Sequence, residues 1–362
     1  MALTETQITE VVDRYWREHD RYTKLAQAVG DICRDLVREN AIRASVHWRA
    51  KTRESVKKKI DSKYRQELNS VDEAFERIGD LAAVRVLTYV EDDRDTVVGL
   101  IKDAFDPPEG KDEIEIDRKD IGGNETFYRA THCQVSMPKS HLVGTYENLG
   151  RLSCEIQVCS MLAHIWNELE HDLVYKPQGG NPSSDERELL KILGNQTLAG
   201  DGVITQLLNV ASSRQKEESE EFSDQYDFVN RLRGKLPGLS EIYRHSEQAL
   251  EVLDNLNIKS PQALQEQILN SYDDAESRGK ELIDKVLGGS GEKWSGAYSA
   301  LNPESSDVLL ALIADKYPDR VAELYPAGRA RGRPTRIAYV AGWINAVKDT
   351  SREDSNGEGD NV

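Results

Sequence analysis

A change of texture at Pro177-Gln178-Gly179-Gly180-Asn181-Pro182 constrains this chain more than any other feature. Before it, short apolar runs alternate with helical patterns; after it, nearly everything reads as helix. Residues 5–45 carry Val11, Val12, Tyr15, Leu25, Val29, Ile32, Leu36 and Ile42 at spacings of three and four, the period of a helix buried along one side. A short connector follows, and Ser55 to Ile60 opens another helix. Residues 82–90 (AAVRVLTYV) form a β-branched run that predicts a buried strand, and 94–104 predict a helix stopped by Asp106-Pro107-Pro108. Residues 113–119 (EIEIDRK) alternate as a half-exposed strand does, and Gly122-Gly123-Asn124 marks a turn. Residues 127–137 and 151–158 predict further strands. Ser160 is placed to cap a helix carrying Leu162, Ile165, Trp166, Leu169 and Leu173. Interleaved strands and helices predict an α+β fold, a mixed β-sheet flanked by helices, followed by an all-helical C-terminal region.

In that region residues 185–235, 240–256 and 261–286 read as helices, with Ser260-Pro261 as a start signal. Gly288-Gly289-Ser290-Gly291 reads as a hinge, and short helices are expected at 305–316, 319–325 and 336–348. The end, REDSNGEGDNV, is too polar to pack. The expected organisation is N-terminal helices over 1–45, a mixed domain over 46–180, a helical extension over 181–287, a small helical module over 292–348 and a disordered tail over 349–362. No repeat of fixed period is visible.

At 362 residues the chain is long for one domain, and 38% hydrophobic residues suffice for a core. No stretch approaches the roughly 20 apolar residues that span a bilayer, and the first residues (MALTETQITEVVDRYW) lack the apolar segment of a secretion signal. Cys33, Cys133, Cys154 and Cys159 include no C-x-x-C pair, against structural zinc or a disulfide framework, and Cys154 and Cys159 are expected to be small buried side chains. A cytoplasmic location and no membrane partner are expected. The net charge of -17 opposes nonspecific binding to polyanions, so such a partner must meet a local basic patch.

One ordered set of polar residues stands out. Asp80 enters one strand, Glu155 lies in a later one, and Tyr128 and His132 fall between them. Upstream, Arg49, Lys51, Ser55 and Lys59 form a basic run, with Lys51, Ser55 and Lys59 at i, i+4 and i+8 of one helical face. Two carboxylates and several cations suit magnesium-assisted phosphoryl-type transfer: the acids hold the metal and the cations neutralise phosphates. In adjacent strands two inward carboxylates would repel unless a cation lies between them. Each residue also has a plainer reading. Lys57-Lys58-Lys59 would serve as a solvated face, Asp80 with Arg85 as an ion pair, Tyr128 as a half-buried aromatic, and His171 beside Trp166 as a core histidine. Glu155, between Cys154 and Ile156, resists one, because a carboxylate in an apolar strand is costly without partners.

The set R-x-K-x-x-x-S-x-x-x-K (Arg49 to Lys59), D-x-x-x-x-R (Asp80 to Arg85), Y-x-x-x-H (Tyr128 to His132), E-x-Q (Glu155, Gln157) and E-H-x-x-x-Y-K (Glu170 to Lys176) resembles the RelA/SpoT synthetase domain. It is most similar to the small alarmone synthetases, over about residues 40–177. The resemblance implies Mg2+-dependent transfer of the β,γ-pyrophosphate of ATP to a ribose 3′-hydroxyl of GDP or GTP. It places Arg49, Lys51, Ser55, Lys59 and Arg85 on ATP and Asp80 on the metal. Glu155 becomes a second metal contact that helps deprotonate the 3′-hydroxyl. Tyr128 stacks on the acceptor base, with His132 near the transferred phosphates and Gln157 also on the acceptor side.

The donor half of the pattern is kept and the acceptor half altered. Asn124, Thr126 and Phe127 stand where a Lys, an Asn and a Gly are usual, Ala130 replaces a small hydroxyl residue, and Cys159-Ser160 replaces Arg-Thr. Toxin-type relatives that modify the tRNA 3′ end or make adenosine alarmones, with an antitoxin or regulatory partner, are therefore an alternative; a non-catalytic nucleotide-binding regulator is another. His19-Asp20 and His171-Asp172 do not supply the family's hydrolase site, which needs several spaced ligands in a separate upstream domain. A second basic patch, Arg329, Arg331, Arg333 and Arg336, resembles the core of an AT-hook. It reads first as a solvated loop pairing with the protein's own acids, next as an RNA or phosphate contact, and last as a true AT-hook. An oligomer is compatible with all of this.

Overall fold

The computed structural model describes residues 3–120, 127–175, 182–212, 217–289, 301–326, 336–338 and 340–342. The chain divides into two compact units, Met1–Val37 with Ile42–Val210, and Arg38–Ala41 with Ala211–Val362.

The first unit opens with α1 (Glu5–Arg17) and α2 (His19–Glu39). A reciprocal capping box between Thr4 and Gln7 satisfies the free N–H groups at the start of α1. Strand β1 (Ala44–Ala50) follows, then α3 (Arg53–Lys59), α4 (Val71–Arg77), β2 (Ala82–Thr88) and α5 (Asp93–Ala104). Next come β3 (Glu115–Lys119), β4 (Ala130–Ser136), β5 (Ser153–Ser160), α6 (Met161–Glu170) and α7 (Ser184–Ser212). The sheet is mixed, in the order β1-β2-β5-β4-β3, with β2 and β5 parallel and the other neighbours antiparallel. Strand β1 corrects the expected connector. Its residues ASVHWRA alternate with period two and pair along the whole of β2.

Alternation gives the sheet two unlike faces. Val84, Val86, Cys133, Val135, Ile156 and Val158 join Val11, Leu25, Val29, Cys33, Val97 and Ile101 in the main core. The four cysteines are free and buried, Cys154 and Cys159 as expected. The opposite face is polar at its centre. At one end Leu87, Ala130, Cys159 and Ala163 form a small apolar cluster, closed by α6. Ser160 caps α6 by accepting the Ala163 N–H at 3.0 Å, as the sequence predicts.

The second unit is helical: α8 (Gln225–Leu232), α9 (Ser246–Asn255), α10 (Pro261–Gln267), α11 (Ala275–Gly289), α12 (Asp307–Lys316) and α13 (Pro318–Leu324). Phe228, Leu253, Leu264, Ile283 and Leu309 share one core. The helix expected over 185–235 is broken: α7 ends at Ser212, and Asp224 starts α8 afresh by accepting the Asp227 N–H at 2.8 Å. Likewise Asp274 accepts from Ser277 at 3.0 Å and begins α11 where one helix over 261–286 was expected. Of the hinge expected at 288–291, Gly288 and Gly289 are the helical end of α11 and the rest lies outside the described residues, as do the turn at 122–124 and the tail at 349–362. Among the described residues no helix is long and apolar enough to cross a membrane.

Candidate active site

Two cross-strand rows build the polar face. Register sets Arg49, Ala83, Glu155, Gln134 and Glu115 side by side, and one step along it sets His47, Arg85, Gln157, His132 and Asp117. Opposed residues share a face, so five strands deliver their polar side chains to one surface. Predicted residues on β1, β2, β4 and β5, from Arg49 to Gln157 in the chain, thus meet in two lines.

Asp80 lies in the turn that enters β2. Lys51 Nζ is 2.6 Å from its Oδ2 and Lys59 Nζ 2.7 Å from its Oδ1. Burial alone would raise the Asp80 carboxyl, but the two ammonium groups outweigh it and hold the group below its usual range. Burial acts the other way on Lys51, whose ammonium sits below its ordinary value despite Asp80. The shared helical face expected for Lys51, Ser55 and Lys59 is corrected. Thr52 is the N-cap of α3, so Lys51 precedes the helix, and its own carbonyl accepts the Tyr15 hydroxyl at 2.6 Å. Ser55 lies in the first turn, its Oγ accepting from the Thr52 hydroxyl at 2.9 Å. Arg49 is exposed on β1.

Glu155 is the second acid. Gln157 Nε2 donates to its Oε1 at 2.5 Å, Gln134 Nε2 to its Oε2 at 3.1 Å, and His132 Nδ1 lies 3.5 Å from Oε1. Burial would raise this carboxyl; the bonds from His132 and Gln157 prevail, against a push from Asp80, and it too stays below its usual range. The far nitrogen of His132 is 3.0 Å from the Tyr128 hydroxyl, whose titration burial pushes up strongly. Arg85 reaches Glu168 at 2.7 Å and Gln157 at 3.4 Å.

Sequence reasoning missed Gln134, Glu168 and the role of Gly79. A Cβ on Gly79 would stand 2.5 Å from Gln134 Nε2, so a larger residue there would push the Gln134 amide from its present place. Gln134 alternates with His132 on β4 and was legible once the strand was drawn. His171 is exposed on a π-helical turn (His171–Tyr175) rather than buried beside Trp166. Of the second basic patch, Arg329, Arg331 and Arg333 lie outside the described residues, as does Lys176. Arg336 is corrected: it is 6% exposed and its guanidinium grips Asp307 at 2.5 and 2.6 Å, which removes it from any nucleic-acid surface.

Among the described residues no three or more acids, cysteines or histidines gather as a metal cage. Magnesium does not need one, since it is commonly held by one or two carboxylates with phosphates and water completing its shell. Two ionised carboxylates that interact electrostatically, Asp80 at the entry to β2 and Glu155 on β5, fit that demand.

Residues 48–180 match the family described as the region found in RelA / SpoT proteins. No curated protein matches the chain. Similar solved structures include small alarmone synthetase 1 from Bacillus subtilis, 18% identical over 56% of this chain and 100% of that one, TM-score 0.43. They also include a GTP pyrophosphokinase family protein from Streptococcus pneumoniae, 20% identical over 54% of this chain and 94% of that one, TM-score 0.43. A third is the Bacillus subtilis small alarmone synthetase 1 bound to its product pppGpp, 18% identical over 54% and 97%, TM-score 0.42. Asp80, Tyr128, His132 and Glu155 all lie within the residues that match the region found in RelA / SpoT proteins.

Proposed function

We propose that the protein is a nucleotide pyrophosphokinase that moves the β,γ-pyrophosphate of ATP to the 3′-hydroxyl of GDP or GTP. The observation that carries this reading is a pair of differently dressed carboxylates that interact electrostatically, Asp80 in the turn entering β2 and Glu155 on the polar face of β5. Asp80 is wrapped by Lys51 and Lys59, whereas Glu155 is wrapped by amides and His132.

Phosphoryl-type transfer is mainly positioning and charge neutralisation. Lys51 and Lys59, with Arg49 and Arg85, form the donor side and bind the ATP phosphates. Their present hold on Asp80 keeps them extended toward that point. Asp80 and Glu155 would hold Mg2+, which supplies charge neutralisation to the phosphates when bound. Glu155 is ionised throughout the neutral range and accepts the proton of the acceptor hydroxyl. His132 and Gln157 orient it, and the acceptor base stacks on Tyr128.

A second reading keeps the chemistry and changes the acceptor to the tRNA 3′ end or an adenosine nucleotide. Ala130 and Cys159, in the small apolar cluster beside Tyr128, favour it, because they depart from the family's acceptor pattern. Purified protein with Mg2+ and γ-labelled ATP, offered GDP, GTP, AMP, ADP, ATP or deacylated tRNA separately, decides between them. Label on GDP or GTP supports the first reading, label on tRNA or an adenosine nucleotide the second, and label on nothing a binding protein.

A further inference from the structure

Both residues flanking Tyr128 are held by α7. On one side Phe127 packs edge-on against Trp166, centroids 5.9 Å apart, and Trp166 donates its indole N–H to the Leu190 carbonyl at 2.8 Å. Gly194, one turn further along α7, approaches Phe127 so closely that a Cβ would stand 2.3 Å from the ring. On the other side Arg129 is 4% exposed, with Nη1 2.8 Å from Oδ2 of Asp201, itself 3% exposed. Glu91 lies 3.8 Å from the same Nη1, and Ser160 donates its hydroxyl to Asp201 at 3.0 Å. Asn167 of α6 clasps the backbone of Arg129, its Oδ1 accepting the N–H at 3.4 Å and its Nδ2 donating to the carbonyl at 3.1 Å.

The pattern of α7 is inverted. Its inward face is Leu190, Gly194, Thr197 and Asp201, whereas Leu189, Ile192, Val203 and Leu207 are exposed. Packing alone would place leucines inward, and a buried carboxylate is costly unless a cation answers it. Here the cation is the residue next to Tyr128.

We infer that Asp201 and Gly194 are positioning residues for the acceptor: through Arg129 and Phe127 they fix Tyr128 and its 3.0 Å contact with His132. This rests on the reading of Tyr128 as the acceptor-stacking residue. Lys51 and Lys59 are held separately, by Asp80. Disturbing α7 therefore weakens acceptor binding and spares the donor.

The test uses the full chain and two variants, Asp201→Asn, which removes the nearer of the two carboxylates facing Arg129, and Gly194→Ala, which displaces Phe127 without touching any charge. In both, KM for GDP or GTP is expected to rise about tenfold or more, the size of effect that a small misplacement produces. KM for ATP is expected to stay within about twofold, as for an uncoupled site. Amide hydrogen exchange over residues 127–132 should quicken while that over 82–88 is unchanged. Equal rises in both KM values, no rise in either, or unchanged exchange at 127–132 would overturn the inference. Should the unaltered chain transfer nothing to GDP or GTP, the proposed function fails, and the exchange comparison alone judges whether α7 holds Tyr128.

Discussion

Glu155 occupies a strand position whose immediate neighbours, Cys154 and Ile156, are both 0% exposed. Its carboxylate persists there because two glutamine amides and His132 replace water. Glu155→Gln keeps the shape and loses the proton acceptor. Transfer is predicted to fall by about 10²–10⁴-fold with ATP affinity unchanged, checked by product formation and by ATP titration. The pH dependence follows from the directions of the shifts. Asp80 and Glu155 are both depressed in the folded protein, so the stability their ionised forms contribute is complete above their ordinary values. It is lost as pH falls through the lower folded ones. On the acid side kcat/KM for ATP is predicted to decline only below about pH 4, the ordinary carboxylate range. A limb centred near about pH 6 that persists in His132→Asn would contradict that assignment.

At the scale of elements, α6 depends on a single serine. Ser160 is 0% exposed, caps the helix through the Ala163 N–H and donates to Asp201. Ser160→Ala is predicted to cost about 1–3 kcal/mol, from the lost cap and the lost bond to a buried carboxylate, measured by urea unfolding. The cap was legible in the sequence, as were β2 to β5 within a few residues, because short apolar runs bounded by turn residues have few other readings. Strand β1 carried the same signal: Ala44, Val46, Trp48 and Ala50 recur every second residue. It was hidden by the basic motif that Arg49 begins. Pairing register was not legible at all, since it depends on which strands become neighbours; only the fold shows that Arg85, Gln157 and His132 share a row. Helix α7 misled for a physical reason. Its leucines face outward, so its hydrophobic pattern does not reveal that Gly194 and Asp201 form the packed side.

For the whole molecule, the division into two units makes each a target of its own. In the second, Asp307 is 0% exposed between Arg336 and His245, 2.5 and 3.2 Å from its Oδ1. Although burial opposes it, these two partners hold the carboxyl far below its usual range, so its contribution is present above that range and lost only in strong acid. Asp307→Asn removes the charge that answers a buried guanidinium and is predicted to destabilise this unit by about 3–5 kcal/mol. Calorimetry would show its transition lowered and that of the first unit unmoved. Because α7 packs within the first unit, a chain ended after Val210 is predicted to fold and keep transfer activity. One ended at residue 180, where the family match stops, exposes Phe127 and Trp166, leaves Arg129 only the more distant Glu91 and should lose both fold and activity. The most direct measurement for the central claim is transfer from γ-labelled ATP to GDP with Mg2+, run on the unaltered chain and on Glu155→Gln. The account predicts a labelled guanosine product from the first and none from the second. Equal labelling by both, or no transfer to any nucleotide or tRNA by the unaltered chain, would contradict it.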